Sequence, residues 1–222
     1  MKNEPIYTLV FGLTADPIHK GHEQVILNSF EFTQAHKINI ESFILLPTYQ
    51  PNLVSKKKQP ETAFEHRYKM CELVASGLRN QCKYPIYVSD IEKQLYLKTG
   101  QKSFSYESLN ALNKKQILFI LSADHFSGRW PVFRKWHQWQ ALVKKNGLLI
   151  HQRPKHNINS SFIEQLKEIN PAVYVVKGLN NIDVSSTMLR NMFKKKGDIP
   201  ASYISQNIYQ YCLQNKLYEI QT

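Results

Sequence analysis

The chain has 222 residues, of which 42% are hydrophobic, and its 29 Lys and Arg against 17 Asp and Glu give a formal net charge of +12. That length and hydrophobic content indicate a globular protein of about one domain and exclude a disordered chain. The positive charge favours anionic partners such as nucleotides or phosphates. Because the lysines form scattered clusters and no continuous basic stripe, nucleic acid is not a predicted partner.

The cysteines and the apolar runs indicate where the protein resides. Cys71, Cys82 and Cys212 have no zinc-binding spacing, which is typical of free thiols in a reducing compartment. No apolar run reaches the length of a membrane span. The first run follows Glu4 and Pro5 and lacks the positively charged start of a signal peptide. We therefore expect a cytoplasmic protein without a membrane partner.

Six short apolar runs predict buried strands, with helix-like segments between them. The predicted strands are residues 6–12, 38–46, 85–90, 116–124, 147–152 and 172–178. Helices are predicted over 21–35 and 61–78, the second with Thr62 and Glu65 spaced as a capping box. This alternation is typical of the α/β class, here a Rossmann-like, doubly wound parallel sheet of about six strands.

The remaining segments predict one loop and a helical end. Residues 47–60 contain three prolines and three lysines and are predicted to form a long mobile loop. Beyond residue 183 the pattern is helical, which indicates a C-terminal helical pair. We expect one α/β domain over 1–222, with 185–222 as its C-terminal helical subdomain.

Two histidines stand where the first strand ends and a helix begins. His19 and His22 are three residues apart in "TADPIHKGHEQVI". A helix N-terminus with two imidazoles is suited to bind an anion, although solvated loop histidines remain an alternative. Zinc is disfavoured because no acidic residue stands beside the first histidine as it does in His-Glu-x-x-His, and we expect no protein-held metal.

Two further segments should meet these histidines at the carboxyl edge of the sheet. Asp124 follows the predicted strand 116–124, and "DVSSTMLR" over 183–190 opens a helix. There the hydroxyls of Ser186 and Thr187 and the guanidinium of Arg190, one turn on, could bind a polyphosphate. An ordinary helix cap with a surface arginine is the alternative. The sequence contains no Walker loop, dinucleotide fingerprint or serine nucleophile elbow.

Taken together, "GLTADPIHKGH" and "VSSTMLR" resemble the His-x-Gly-His and Ile-Ser-Ser-Thr-x-x-Arg signatures of the nucleotidyltransferase superfamily. Within it the chain resembles the bacterial nicotinate-nucleotide adenylyltransferases over essentially its full length. The segments "ILFILSAD", "KSFSYESL", "KWHQWQALV", "LLIHQRP" and "YISQNIYQYCLQNKLY" carry this further likeness. The resemblance implies transfer of AMP from ATP to nicotinate mononucleotide, with Mg²⁺ accompanying ATP, in an in-line displacement that releases pyrophosphate.

The resemblance also implies roles for residues of this chain. The implied catalytic residues are His19, His22 and Arg190. The implied ATP-binding residues are Gly12, Leu13, Thr14, His22, Asp124, Ser186, Thr187 and Arg190. The implied acceptor-binding residues are Ser105, Trp136, Lys56 and Arg153. We assign Trp139, on the same predicted helix as Trp136, to the core.

Several positions depart from the family pattern. Leu13 and Ser122 stand where the family has glycine, Ala15 replaces a larger residue, and Phe104-Ser105 stands for Tyr-Thr. A bulky Leu13 could narrow the site. Two alternatives therefore stay open: an adenylyltransferase for nicotinamide mononucleotide or phosphopantetheine, and a non-catalytic nucleotide- or RNA-binding protein. The sequence leaves the oligomeric state open, a homo-oligomer included.

Overall fold

The computed structural model describes residues 4–51, 59–153, 156–177, 182–195 and 198–218. Six strands form one sheet in which every neighbouring pair is parallel. The strands are β1 Tyr7–Leu13, β2 Ile40–Pro47, β3 Ile86–Val88, β4 Ile117–Ser122, β5 Gly147–His151 and β6 Val173–Val176. Their order is β3-β2-β1-β4-β5-β6, which reverses direction between β1 and β4. The predicted Rossmann-like, doubly wound sheet is confirmed.

The strands are nearly continuous apolar runs because both faces of the sheet are covered. Along β1, Leu9 and Phe11 belong to one buried cluster, whereas Val10 belongs to another with Phe119 of β4. This alternation follows from the two-residue period of a strand.

The connecting helices lie between the strands in the α/β order that the sequence predicts. The α-helices are α1 Lys20–Ala35, α2 Phe64–Leu78, α3 Ile91–Thr99, α4 Ser105–Ala111, α5 Trp139–Lys145, α6 Ser160–Ile169, α7 Ser186–Lys194 and α8 Gln206–Gln214. Two short 3-10 helices cover Ala123–His125 and Val132–Lys135. Within the described ranges, no helix combines the length and apolarity that crossing a bilayer requires.

The predicted capping box of α2 is wrong. The helix begins at Phe64 with Ala63 as N-cap, so Thr62 lies one residue too early to cap it. The Thr62 carbonyl instead accepts a hydrogen bond from Arg67 Nε at 3.1 Å, and Glu65 pairs with Lys93 at 2.8 Å.

The prediction that Trp136 and Trp139 share a helix is also wrong. Trp136 follows a 3-10 helix with extended backbone, at φ −70° and ψ 142°. Gln138 then adopts a left-handed conformation, at φ 50°, and α5 begins only at Trp139. The change in backbone direction between them separates the environments of the two indoles.

The C-terminal helices share the core of the sheet. Leu189 and Phe193 of α7 and Ile208 of α8 belong to the same buried cluster as Leu9 of β1. One domain over 1–222 stays a prediction. The separate status of 185–222 as a subdomain stays a prediction.

Candidate functional site

One cleft opens at the carboxyl edge of the sheet, where the strand order reverses. It has a volume of about 930 Å³ and is lined from the ends of β1, β4 and β5 and from the start of α7. Every sequence-predicted site residue within the described ranges lines it: Gly12, Leu13, Thr14, His19, His22, Ser105, Asp124, Trp136, Arg153, Ser186, Thr187 and Arg190. Lys56 lies outside the described residues. Segments up to 178 positions apart in the chain thus meet in one cleft.

The two histidines form the start of α1. His19 is the N-cap residue and His22 is the third residue of the helix, and their ring centroids are 3.8 Å apart. The backbone N–H of His19 donates to Nδ1 of His22 at 3.2 Å. In a neutral His22 the proton therefore lies on Nε2, which remains available as a donor to a ligand.

Gly21 gives the histidine at the helix start the room it needs. A Cβ at this position would lie 3.1 Å from Nδ1 of His19 and 3.2 Å from Cγ1 of Val184. The glycine between the histidines is thus explained by close packing against the His19 ring. Sequence reasoning assigned no role to it.

Both histidines are neutral at pH 7 before an anion binds. Burial, followed by the charge of Arg153, lowers the pKa of His22 to about 3. Burial, His22 and Arg153 lower the pKa of His19 well below its ordinary value. Nδ1 of His19 is buried and has no hydrogen-bond partner among the described residues. A bound anion would reverse these effects, because it stabilises the protonated imidazoles.

The first turn of α1 offers fewer free amides than the sequence analysis expects. The Lys20 N–H donates to the Tyr203 carbonyl at 2.9 Å, and the His22 N–H donates to the His19 carbonyl at 2.8 Å. The approach of Tyr203 uses one amide of the turn. At this turn the imidazoles can therefore serve as donors to an anion in place of these two amides.

The two signature segments contact each other directly. Ser186 Oγ donates to the Pro17 carbonyl at 2.9 Å, and Nη1 of Arg190 donates to the Asp16 carbonyl at 2.5 Å. Because a hydroxyl has one proton, the Ser186 side chain cannot donate to a phosphate while the Pro17 bond lasts. The actual side-chain cap of α7 is Ser185, whose Oγ accepts from the Met188 N–H at 3.2 Å.

Arg190 lies at the centre of a charged cluster at the start of α7. Its Nη2 donates to Thr187 Oγ1 at 3.3 Å, which confirms that the two side chains share a face. Its Nε is 3.1 Å from Oε1 of Glu61, and Lys194 Nζ is 2.6 Å from Oε2 of the same carboxylate. These hydrogen bonds and cations lower the pKa of Glu61, so the carboxylate is ionised at neutral pH.

Trp136 contributes an aromatic surface to the cleft. Trp136 makes an edge contact with His125 at 5.1 Å between centroids and a tilted contact with Phe133 at 5.2 Å. Trp139 instead packs on Phe162 and does not line the cleft. The structure therefore gives the two tryptophans different surroundings, one beside the cleft and one on the α6 side.

Asp124 follows β4 in a short 3-10 helix at the edge of the cleft. Its Oδ1 accepts a short hydrogen bond from Ser122 Oγ, and its Oδ2 is 3.8 Å from Nε2 of His125. Ser122, which departs from the family glycine, thus orients this carboxylate. Leu13, the other departure of this kind, is buried in the larger core cluster although it borders the cleft.

Sequence reasoning missed Arg67, a fully buried cation beneath the cleft. Its side chain is 1% exposed. It donates to four backbone carbonyls, those of Thr14 (2.8 Å), Thr48 (2.6 Å), Tyr49 (3.1 Å) and Thr62 (3.1 Å). A signal was available, because Arg67 lies on the apolar face of α2, three residues after Phe64 and four before Cys71.

Glu92 is a second residue that the sequence analysis did not predict, and it binds the backbone of Tyr49, as Arg67 does. Its Oε2 accepts from the Tyr49 N–H at 2.9 Å and its Oε1 from Ser108 Oγ at 3.2 Å. Burial raises its pKa to about 7 despite these bonds and the charge of Arg67. The polar sequence of α3 gives no sign that this carboxyl is buried.

The described residues contain no cluster of three or more His, Cys, Asp or Glu arranged to hold a metal ion. The cleft is lined by cations and imidazoles that can bind an anion, among them His19, His22 and Arg190, and also by carboxylates such as Asp124 and Glu61. A divalent cation that arrives already bound to phosphate oxygens fits such a site better than one held by a protein cage.

Comparisons with known proteins agree with this geometry. Residues 10–192 match the cytidylyltransferase-like family model. A probable nicotinate-nucleotide adenylyltransferase of Yersinia pestis is 28% identical over 96% of this chain and 95% of its own length. Its counterpart from Hydrogenovibrio crunogenus is 24% identical over 94% and 95%.

Solved structures show the same fold. A Plasmodium falciparum nicotinic acid mononucleotide adenylyltransferase complexed with NaAD has a TM-score of 0.70 at 20% identity, covering 96% of this chain and 98% of its own. A putative nicotinate-nucleotide adenylyltransferase from Vibrio parahaemolyticus has a TM-score of 0.58 at 17% identity, covering 94% and 99%. With the family model spanning both the histidine turn and the start of α7, this chain belongs to the cytidylyltransferase-like family.

Proposed function

We propose that the protein is a nicotinate-nucleotide adenylyltransferase, which transfers AMP from ATP to nicotinate mononucleotide and releases pyrophosphate. The observation that carries this proposal is the meeting of His19, His22 and Arg190 in one cleft at the switch point of the sheet. The names and near-complete coverage of the curated relatives support the choice of acceptor.

The chemistry needs positioning and charge neutralisation more than a strong base. The attacking group, the 5′-phosphate of the acceptor, is already an anionic nucleophile at neutral pH. It displaces pyrophosphate in line at the α-phosphorus of ATP, forming one phosphorus–oxygen bond and breaking another. Groups that stabilise the growing negative charge on the phosphate oxygens therefore lower the barrier.

His19 and His22 are the groups we assign to the reacting phosphate. The Nε2–H of His22 is free to donate, because its Nδ1 is engaged by the His19 amide. Both imidazoles are neutral before ATP binds, and the phosphate charge raises their pKa on binding. They can then donate charge-assisted hydrogen bonds to the transition state.

The remaining ATP contacts follow from the positions around these histidines. Thr187 and Arg190 bind the triphosphate, with Ser186 fixing the turn through Pro17. The backbone of Gly12, Leu13 and Thr14 borders the nucleotide, and Asp124 accepts from the ribose hydroxyls. Mg²⁺ accompanying ATP would supply further charge neutralisation.

The acceptor lies beside Trp136 in this proposal. Trp136 provides a surface for the pyridine ring, Ser105 faces its carboxylate, and Arg153 supplies a cation. Lys56, outside the described residues, is proposed as a further contact to the substrate phosphate. We also propose a cytoplasmic location.

The proposal is tested by pyrophosphate release from ATP and Mg²⁺ with three separate acceptors. Nicotinate mononucleotide should support release, while nicotinamide mononucleotide and phosphopantetheine should support much less. A preference for either of the other two would keep adenylyl transfer and refute the acceptor. If folded protein that binds ATP releases no pyrophosphate with any of the three acceptors, the proposed enzymatic activity is refuted and the binding-protein alternative is favoured.

A further inference from the structure

Beside the proposed triphosphate contacts, one carboxylate is held by two cations. Glu61 Oε1 is 3.1 Å from Arg190 Nε, and Glu61 Oε2 is 2.6 Å from Lys194 Nζ. All three side chains line the cleft. Arg190 and Lys194 are four residues apart on α7, so both cations project from the same face of the helix.

The backbone of Glu61 is fixed next to the histidine turn. Its N–H donates to Oδ2 of Asp16 at 2.8 Å. The same Asp16 carboxylate lies 3.6 Å from Nη1 of Arg190 and accepts from the Tyr218 hydroxyl at 3.0 Å. Glu61 is therefore placed at the cleft by its main chain, while its side chain is about two-fifths exposed and can turn away.

A carboxylate bridging an arginine and a lysine occupies the geometry that two phosphate oxygens would occupy. Both anions accept charge-assisted hydrogen bonds from guanidinium and ammonium groups at the same distances. A triphosphate bound by Arg190 must compete with Glu61 for the guanidinium. Once Glu61 leaves, the partly exposed Lys194 ammonium lies beside the same phosphates and can donate to one of their oxygens.

We propose that Lys194 is a further binding residue for the pyrophosphate portion of ATP, and that Glu61 occupies that subsite until the nucleotide displaces it. This inference rests on the proposed function, because it needs a triphosphate in the cleft. It adds a residue beyond the signature motif and names an internal competitor for the leaving group. It also implies that Glu61 returns to the two cations after turnover and helps to release pyrophosphate.

Binding measurements on unreacting ligands test this directly. We would titrate the wild-type protein, Glu61→Gln, Lys194→Gln and Lys194→Arg with three ligands in the presence of Mg²⁺: a non-hydrolysable α,β-methylene ATP, inorganic pyrophosphate and AMP. AMP lacks the phosphates that Lys194 would contact, so it serves as the internal control. Glu164→Gln and Lys167→Gln, which alter an ion pair on α6 outside the cleft, are the matched variants.

Lys194→Gln should lower the affinity for the ATP analogue and for pyrophosphate about fivefold to tenfold, because roughly one charge-assisted hydrogen bond is lost. The affinity for AMP should not change. Lys194→Arg should restore most of the lost affinity. Glu61→Gln should raise the affinity for the same two ligands about threefold, because the competing charge is removed, and should not change the affinity for AMP. The α6 variants should match the wild type.

The inference is overturned if Lys194→Gln changes none of these affinities, or if Glu61→Gln lowers the affinity for the ATP analogue. The second result would mean that the contacts of Glu61 with Arg190 and Lys194 only stabilise the position of the segment that carries Glu61. A failure of the proposed function appears differently, as no turnover with nicotinate mononucleotide while the pattern of analogue and pyrophosphate affinities persists. A wild-type protein that binds neither the analogue nor pyrophosphate would refute both.

Discussion

Replacing Arg67 by methionine should destabilise the protein and loosen the cleft together. The guanidinium donates to four backbone carbonyls in the loops that follow β1 and β2 and in the turn before α2. Hydrogen bonds from a charged donor contribute about 1.5–3 kcal/mol each, but removing the buried charge also recovers part of its desolvation cost. The net loss in the free energy of unfolding should therefore be about 3–5 kcal/mol, a large share of a typical 5–15 kcal/mol.

Urea denaturation at pH 7 measures this loss. Arg67→Lys keeps the charge but cannot reach four carbonyls with one ammonium, so it should recover only part of the stability. The matched control is Arg79→Met, at the exposed end of the same helix, which should stay within about 0.5 kcal/mol of the wild type.

The Arg67 variants should also show a functional effect. Because Thr14 borders the cleft and its carbonyl is held by Arg67, the KM for ATP should rise in Arg67→Met at temperatures where the protein is still folded. A loss of less than 1 kcal/mol with an unchanged KM for ATP would refute the view that this cation organises the loops.

Three further predictions concern the histidines and tryptophans. His22→Asn should lower pyrophosphate release about 100-fold or more while the Kd for ATP changes little, since its donor acts mainly on the transition state; equal losses in binding and turnover would contradict this. Trp136→Ala should raise the KM for the acceptor alone, whereas Trp139→Ala should lower stability by about 2–3 kcal/mol through lost packing on Phe162, and steady-state kinetics with thermal melts separate the two. Burial lowers the pKa of His151 to about 4. Between pH 6.5 and 4 the unfolded chain therefore binds a proton at this residue that the native state does not bind. The free energy of unfolding should fall as the pH is lowered through this range. His151→Asn should therefore reduce the slope of unfolding free energy against pH by roughly 1.4 kcal/mol per unit there, and an unchanged slope would show that His151 is not buried as a neutral group.

The sheet was predictable because each strand is a short apolar run bounded by polar or turn residues, and such runs pair in parallel when helices separate them. The convergence of the histidine turn with the start of α7 followed from the same topology, since parallel strands end at one edge. The local errors came from backbone details. Gln138 in a left-handed conformation separates Trp136 from α5, and no residue-type pattern required that turn.

The missed site residues depend on tertiary contacts that a single sequence does not encode. Glu61 and Lys194 pair across 133 positions, and the buried Glu92 accepts hydrogen bonds from Tyr49, after β2, and from Ser108 of α4. Arg67 differs, because a charged residue on the apolar face of a predicted helix indicates a buried role. The sequence also contains an indication for Lys194, because it lies one turn beyond Arg190 on the same face of the predicted helix.

The most direct test of adenylyl transfer follows the α-phosphate of ATP. The protein would be incubated with Mg²⁺, nicotinate mononucleotide and ATP labelled in either its α- or its γ-phosphate. The account predicts that the α label appears in the deamido dinucleotide and the γ label in pyrophosphate. Recovery of the γ label on the acceptor, or of the α label in free AMP without any dinucleotide, would contradict it.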